Sequence, residues 1–263
     1  MSQTFLEKIV AITRQRVADD KRQTDLARLR TAAFHTSKAL EKNRLRNALG
    51  RKDRTNIIAE IKRASPSKGV INADIDVSGL AGQYAAGGAA AISVLTEPQF
   101  FMGSIDDLKT VRSAVDLPLL RKDFIVDEFQ IIEAAAAGAD SILLIVAALD
   151  VGELRDLFAF VEDEFAMDAL IEVHTAAELE TAATVGAKII GINNRDLHTL
   201  KVSLDVSRNL IANRPTDALL IAESGISNRE EIDELRGLGF DGFLVGETLM
   251  RTANASKTLG GWV

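Results

Sequence analysis

The 263-residue chain has no cysteine. That excludes disulfides, a thiol nucleophile and every thiolate zinc site. Its histidines number three, His35, His174 and His198, and their positions lack the close spacing of a metal-binding pair. No metal site is expected, and carboxylate-held magnesium is the only metal chemistry left open. Long apolar runs are missing as well: the longest uncharged apolar stretch, Ile142 to Leu149, is far short of the ~20 residues of a membrane helix. No membrane partner is expected. The N-terminus, MSQTFLEKIVAITRQR, interrupts its apolar residues with Glu7, Lys8, Arg14 and Arg16, so it lacks the core of a secretory signal. A cytoplasmic location follows as the expectation. Basic residues are outnumbered, 31 Lys and Arg against 38 Asp and Glu for a net charge of −7, which argues against a nucleic-acid partner.

Eight short apolar segments remain, each running into a charged, amide or glycine-rich tail. They are NIIAEIKRASPS (56–67), AISVLTE (91–97), LPLLRKDF (117–124), SILLIVA (141–147), ALIEVH (169–174), IIGINNRD (189–196), LLIAESGI (219–226) and GFLVGET (242–248). A glycine followed by small residues and an apolar run recurs at Gly88, Gly138, Gly186 and Gly239, about 50 residues apart. Glycine suits a helix C-terminus, where a left-handed backbone costs it nothing, and the β-branched residues that follow suit a strand. An interleaved set at Pro118, Ala169 and Ala218 has the same spacing, so each period holds two βα units.

Helical stretches are expected at 77–86, 104–115, 128–137, 151–164, 176–185, 204–213, 229–238 and 247–255. Eight strand–helix units of this length predict an α/β fold, a (β/α)8 TIM barrel. An open doubly wound sheet fits less well, because no strand runs into a G-x-G-x-x-G turn. Residues 1 to about 50 carry short amphipathic faces that need a partner surface, so they predict an N-terminal helical extension of one 1–263 domain.

In such a barrel the tails gather at one mouth. Alternation puts Glu60 and Lys62 on one face of the first strand, inside the barrel, with Ile57, Ala59 and Ile61 outward beneath the helices. Odd strands repeat the pattern with Lys122, Glu172 and Glu223. Two lysines and three glutamates then converge, an arrangement suited to acid and base work because neighbours push pKa values apart. The sixth strand adds Asn193, able to bond a substrate hydroxyl or carbonyl, and Arg195, placed either to reach substrate or to hold Glu172 and Glu223. Glu223-Ser224-Gly225 and Gly246-Glu247 are turns at the ends of strands seven and eight, where backbone N–H groups bind phosphate, with Ser65 as a third donor. Glu247 fits only if its side chain turns away from the dianion. Arg63 to Gly69 reads as a mobile loop closing over an anionic substrate. Phe100, Phe101 and Phe124 fall at the same mouth, where one or two can flank a planar group.

These motifs, IAEIKRASPSKG, SVLTE with FFMGS, LLRKDFIVDEFQI, LLIVAAL, LIEVH, INNRDL, AESGI and LVGETLMR, resemble the indole-3-glycerol phosphate synthase family from about residue 5 to 252. The resemblance implies a barrel enzyme of tryptophan biosynthesis with no cofactor, a carboxy-lyase. Its substrate would be 1-(2-carboxyphenylamino)-1-deoxyribulose 5-phosphate, closed to an indole with loss of carbon dioxide and water. It further implies Lys122 as general acid, Lys62 on the anthranilate carboxylate and as a proton donor in dehydration, and Glu172 as general base. Glu60, Asn193 and Glu223 would polarise sugar hydroxyls, and Arg195 would order the carboxylates. Ser65, Ser224, Gly225, Gly246 and Glu247 would meet the phosphate, and Phe101 and Phe124 would wall the aromatic ring. Met102 departs from the family, whose members often carry a polar residue there.

Other readings of the residues are a Schiff-base aldolase using Lys122 or Lys62 and a phosphosugar isomerase. A non-catalytic phosphate-ligand sensor is a third, although it would need no complete acid and base pair. No fused pathway domain is expected within the chain.

Overall fold

The computed structural model describes residues 4–197 and 199–263; His198 lies outside the described residues. Eight parallel strands close into a barrel: β1 (Ile57–Ile61), β2 (Ala91–Leu95), β3 (Leu119–Lys122), β4 (Ser141–Ile145), β5 (Asp168–Val173), β6 (Ile189–Asn193), β7 (Leu219–Glu223) and β8 (Gly242–Val245). Each strand pairs with its sequence neighbours and β8 pairs with β1, which closes the ring. Because both faces of these strands are covered, they read as near-continuous apolar runs. Outward residues such as Ile57, Ala59, Ile61, Ile92 and Val94 pack with the surrounding helices, while Ile58, Leu120, Leu143, Leu170, Ile189, Ile221 and Leu244 fill the barrel.

Register fixes the height of the polar ends. Leu95 pairs with Lys122, Ile145 with Glu172, and Asn193 with Glu223. The charged residues therefore emerge at one level, above the apolar filling.

Three helices precede the barrel: α1 (Phe5–Gln23), α2 (Leu26–Ala39) and α3 (Arg44–Leu49). A capping box between Thr4 and Glu7 starts α1, and Asp25 caps α2. Ala33 of α2 is buried in the outer core. α3 crosses the bottom of the barrel and puts Leu45 and Leu49 among the barrel-filling residues. Charge ties it there: Arg44 bonds Asp140 at 3.0 Å and Asp116 at 2.8 Å, and the Arg46 N–H donates to Asp168 at 3.0 Å.

The barrel helices are α4 (Val77–Ala86), α5 (Ile105–Ala114), α6 (Glu128–Ala136), α7 (Val151–Phe165), α8 (Ala176–Thr184), α9 (Asp205–Leu210), α10 (Arg229–Leu238), α11 (Glu247–Arg251) and α12 (Ala255–Gly260). Most match the expected stretches to within a residue or two. The recurring glycines Gly88, Gly138, Gly186 and Gly239 have φ between 84° and 114°, the left-handed helix stop that the rhythm predicts. One expectation fails. The stretch expected as a single helix to residue 255 breaks at Thr252, and Asn254 caps a new helix by accepting the Lys257 N–H. The side chain of Asn254 bonds backbone that a continuing helix would have used. Among the described residues no helix is long and apolar enough to cross a membrane.

Candidate active site

At the carboxyl ends of the strands lies a cavity of about 550 Å³. Fourteen residues that the sequence nominates line it: Glu60, Lys62, Ser65, Phe101, Lys122, Phe124, Glu172, Asn193, Arg195, Glu223, Ser224, Gly225, Gly246 and Glu247. Strand alternation accounts for the floor, since Glu60, Lys122, Glu172, Asn193 and Glu223 each stand last or last but one in a strand, on its inner face.

Lys122 stands between two carboxylates, with Nζ 3.1 Å from Glu172 Oε2 and 2.9 Å from Glu223 Oε2. Across the floor Lys62 Nζ donates to Glu60 Oε1. Burial alone would lower the Lys122 pKa, but the charges of Glu223, Glu172 and Glu60 outweigh it and push it up. Burial likewise opposes ionisation of Glu60 and Glu172. Lys62, Lys122 and Arg195 nonetheless hold Glu60 below the usual range, and Lys122, His174 and a hydrogen bond from Asn193 do so for Glu172. Glu223 differs. Its burial and the nearby Glu172 raise it to about 7, against the pull of Lys122. Three carboxyl groups in one pocket are thus divided between two held toward the ionised form and one pushed toward the protonated form.

The same carboxylates explain two glycines. A Cβ on Gly191 would collide with Glu223 Oε1, and one on Gly246 with Glu60 Oε1. Both glycines leave room for a buried charge rather than for a turn.

On the strand-seven and strand-eight side, Ser224 and Gly225 adopt φ of 64° and 85°, a pair of left-handed residues that turn backbone toward the cavity. Gly246 and Glu247 open α11 beside them. Glu247 Oε1 lies 3.3 Å from Lys68 Nζ and 3.2 Å from Arg251 Nε, so two cations occupy the carboxylate.

Three sequence expectations need adjusting. Arg195 does not clamp Glu172 and Glu223; its Nη1 donates to Ser67 Oγ and to the Leu200 carbonyl, both at 3.1 Å. Its position just beyond β6 carries the guanidinium over the loop after β1, and it acts on Glu60 through charge. That loop is itself a small hairpin, pairing Ala64 with Val70 and Ser65 with Gly69, and Arg63 is held by both oxygens of Asp107. Phe100 leaves the cavity wall and packs edge-on against Phe5, with centroids 5.3 Å apart. The wall is built by Phe101 and Phe124, 6.4 Å apart.

Some lining residues escaped the sequence reading. Phe5 reaches the cavity from the first turn of α1, and nothing in an amphipathic helix tells which end will overhang a site. Leu143, Ile145, Leu197 and Leu200 complete the apolar wall. Arg121 was legible in principle: flanking Lys122, it must point outward under a helix, where a charge needs partners. It is 2% exposed and bonds Thr96, the Gln130 carbonyl, Asp123 and Glu133. Asp123 also takes Arg16 of α1, so this network pins the residue next to Lys122.

Several solved structures share the architecture. Thiamine phosphate pyrophosphorylase from Pyrococcus furiosus superposes with a TM-score of 0.60 at 19% identity, covering 82% of this chain and 94% of its own. 3-Hexulose-6-phosphate synthase from Salmonella typhimurium gives 0.62 at 13% identity, covering 78% and 95%. At such identities they speak for the fold alone. Sequence speaks for more. The indole-3-glycerol phosphate synthase of Desulfosudis oleivorans is 51% identical over 205 residues, 78% of each chain. That of Carboxydothermus hydrogenoformans is 44% identical over 259 residues, 97% of this chain and 98% of its own. The family pattern described as indole-3-glycerol phosphate synthase matches residues 6–260. On a mouth that gathers fourteen of the motif residues in one cavity, a match of that extent has one meaning: the chain belongs to the indole-3-glycerol phosphate synthase family.

Proposed function

We propose that the chain converts 1-(2-carboxyphenylamino)-1-deoxyribulose 5-phosphate to indole-3-glycerol phosphate, carbon dioxide and water, as a carboxy-lyase of tryptophan biosynthesis. The observation that carries this reading is Lys122, an ammonium held between two carboxylates on the cavity floor beside the Phe101 and Phe124 wall.

The aromatic ring lies against Phe101 and Phe124, with its carboxylate on Lys62. The phosphate takes backbone N–H groups at Ser224–Gly225 and Gly246–Glu247 and the Ser65 hydroxyl. Lys122 gives a proton to the ketone oxygen as the ring carbon bearing the carboxylate attacks the carbonyl carbon. The bond to the carboxylate then breaks, carbon dioxide leaves, and its electron pair restores the ring. Lys62 protonates the new hydroxyl, which departs as water while Glu172 removes a proton to complete the indole. Two protons are given and one is taken, so each turnover draws one from solvent, matching the charge lost with the carboxylate. Glu60, Asn193 and Glu223 are placed to accept from sugar hydroxyls.

The charge state of Lys122 favours this over Schiff-base chemistry. An aldolase lysine attacks as the free amine, whereas the carboxylates around Lys122 hold the ammonium form.

The test follows indole fluorescence on mixing protein with this substrate. Wild type should form product, and Lys122→Ala should lose about 10²–10⁴-fold in kcat, the usual contribution of a proton-transfer group. No indole product from wild type overturns the reading. Borohydride trapping of wild type on a ketone phosphate would favour the aldolase.

A further inference from the structure

Glu172 offers its two oxygens to two different cations. Oε2 faces Lys122, while Oε1 lies 3.4 Å from His174 Nε2. His174 is the first residue beyond β5 and is not among the residues that line the cavity. Its other ring nitrogen, Nδ1, is 3.3 Å from Glu178 Oε2 on the first turn of α8, and the same oxygen accepts the His174 backbone N–H at 2.7 Å. Thr175 caps α8 and thereby fixes where Glu178 stands. Ring orientation is thus set from behind by a carboxylate and a helix start.

The buried Nε2 makes no hydrogen bond in this arrangement. A neutral ring that gives its Nδ1–H to Glu178 would turn the Nε2 lone pair toward a carboxylate oxygen, and two acceptors would face each other. The imidazolium has no such conflict, since it presents an N–H and positive charge to both carboxylates. A carboxylate, an imidazole and a second carboxylate in line therefore select the charged ring.

We propose that His174, held by Glu178, is a positioning residue for Glu172: its charge beside Oε1 keeps Oε2 on Lys122 and keeps the carboxylate ionised for proton removal. This rests on the reading of Glu172 as the base. It extends the familiar arrangement in which a base is oriented by a third group. The groups facing the imidazole are Glu172 on β5, Glu178 on α8 and Glu223 on β7. Burial would lower its pKa, but the Glu178 hydrogen bond and the charges of all three carboxylates outweigh it and raise it. Glu178 and Glu172 are in turn held low, each partly through His174.

The experiment compares wild type with His174→Asn and Glu178→Gln by the pH profiles of kcat and KM. Without the imidazolium charge Glu172 is easier to protonate, so the acidic limb of kcat should move to higher pH. At neutral pH kcat should fall about tenfold, below the full 10²–10⁴-fold worth of a proton-transfer group, with KM little changed. Glu178→Gln leaves the ring but removes its anion, so the imidazole is more often neutral and the limb should shift the same way by less. For His174→Ala, added imidazole should restore part of kcat in a saturable manner. An unmoved limb, or a lower kcat with no limb shift and no imidazole rescue, would mean that His174 only fills space, and would overturn the proposal. Should His174→Asn fail to fold, the Glu178→Gln limb decides. Loss of the enzymatic reading itself would look different, since wild type would then make no product at all.

Discussion

Glu223 carries the least settled charge in the cavity, and that makes it the residue most open to measurement. Its carboxyl sits at about 7, so it titrates in the range in which the enzyme is assayed. The ionised form accepts more strongly from a substrate hydroxyl while also holding Lys122. kcat/KM should therefore rise with pH through about 7, and Glu223→Gln should flatten that limb while lowering the plateau; an unchanged limb would assign it to another group. At this scale the sequence was informative wherever strand alternation and strand ends decide direction, as for Glu60, Lys122, Glu172 and Asn193. It was silent where a side chain outside any strand chooses among partners. Arg195 turned to Ser67 and Leu200 because it stands beyond β6, where alternation no longer constrains it. Phe5 reached the site for a reason equally invisible, the direction in which a helix overhangs a mouth.

Among the elements, α3 has the sharpest energetic signature. Asp168, which accepts the Arg46 N–H, has its carboxyl raised by burial to about 6, despite the hydrogen bonds and the Arg46 charge that oppose the shift. An unfolded aspartate titrates near 3.9. Between about 4 and 6 the folded chain thus binds the extra proton, and stability from this group falls as pH rises through that window. The ionised form costs at most about 3 kcal/mol at pH 7, from about two pKa units at 1.36 kcal/mol each. Asp168→Asn, whose amide oxygen can still accept from Arg46, should remove this slope when urea midpoints are compared at pH 4.5 and 7. A slope retained by the variant would place its origin elsewhere. Helices and strands themselves were readable because apolar period, glycine stops and caps agree. The exception, the break between α11 and α12, turned on whether Asn254 bonds its own helix start or sits on a continuous one, a choice that periodicity does not record.

The molecule as a whole bears a charge of −7 and must bind a ligand carrying both a phosphate and a carboxylate. Nor do the cavity walls offset this, since among the described lining residues Lys62, Lys122, Arg195 and Arg251 face Glu60, Asp123, Glu172, Glu223 and Glu247. Adding an anion to such a site favours protonation of its most weakly held carboxylate. Binding of indole-3-glycerol phosphate at pH 7 should therefore take up protons. Calorimetric binding enthalpies in buffers of different ionisation enthalpy will show it, and equal enthalpies in all buffers would contradict it. The overall architecture was legible because eight repeated units leave few ways to close a sheet, whereas this charge balance depends on which side chains share one cavity.

The plug formed by α3 has a further consequence, in time rather than space. Leu45 and Leu49 are buried only when the barrel surrounds them, and β8, which closes it, ends at Val245. A ribosome adding roughly 5–20 residues per second needs about 10–40 s to make the intervening chain. Throughout that interval the two leucines have no complete pocket to occupy. A hydrophobic surface synthesised early is thus among the last to be sheltered, and the nascent chain must reach its final strand before these two leucines are safe from aggregation.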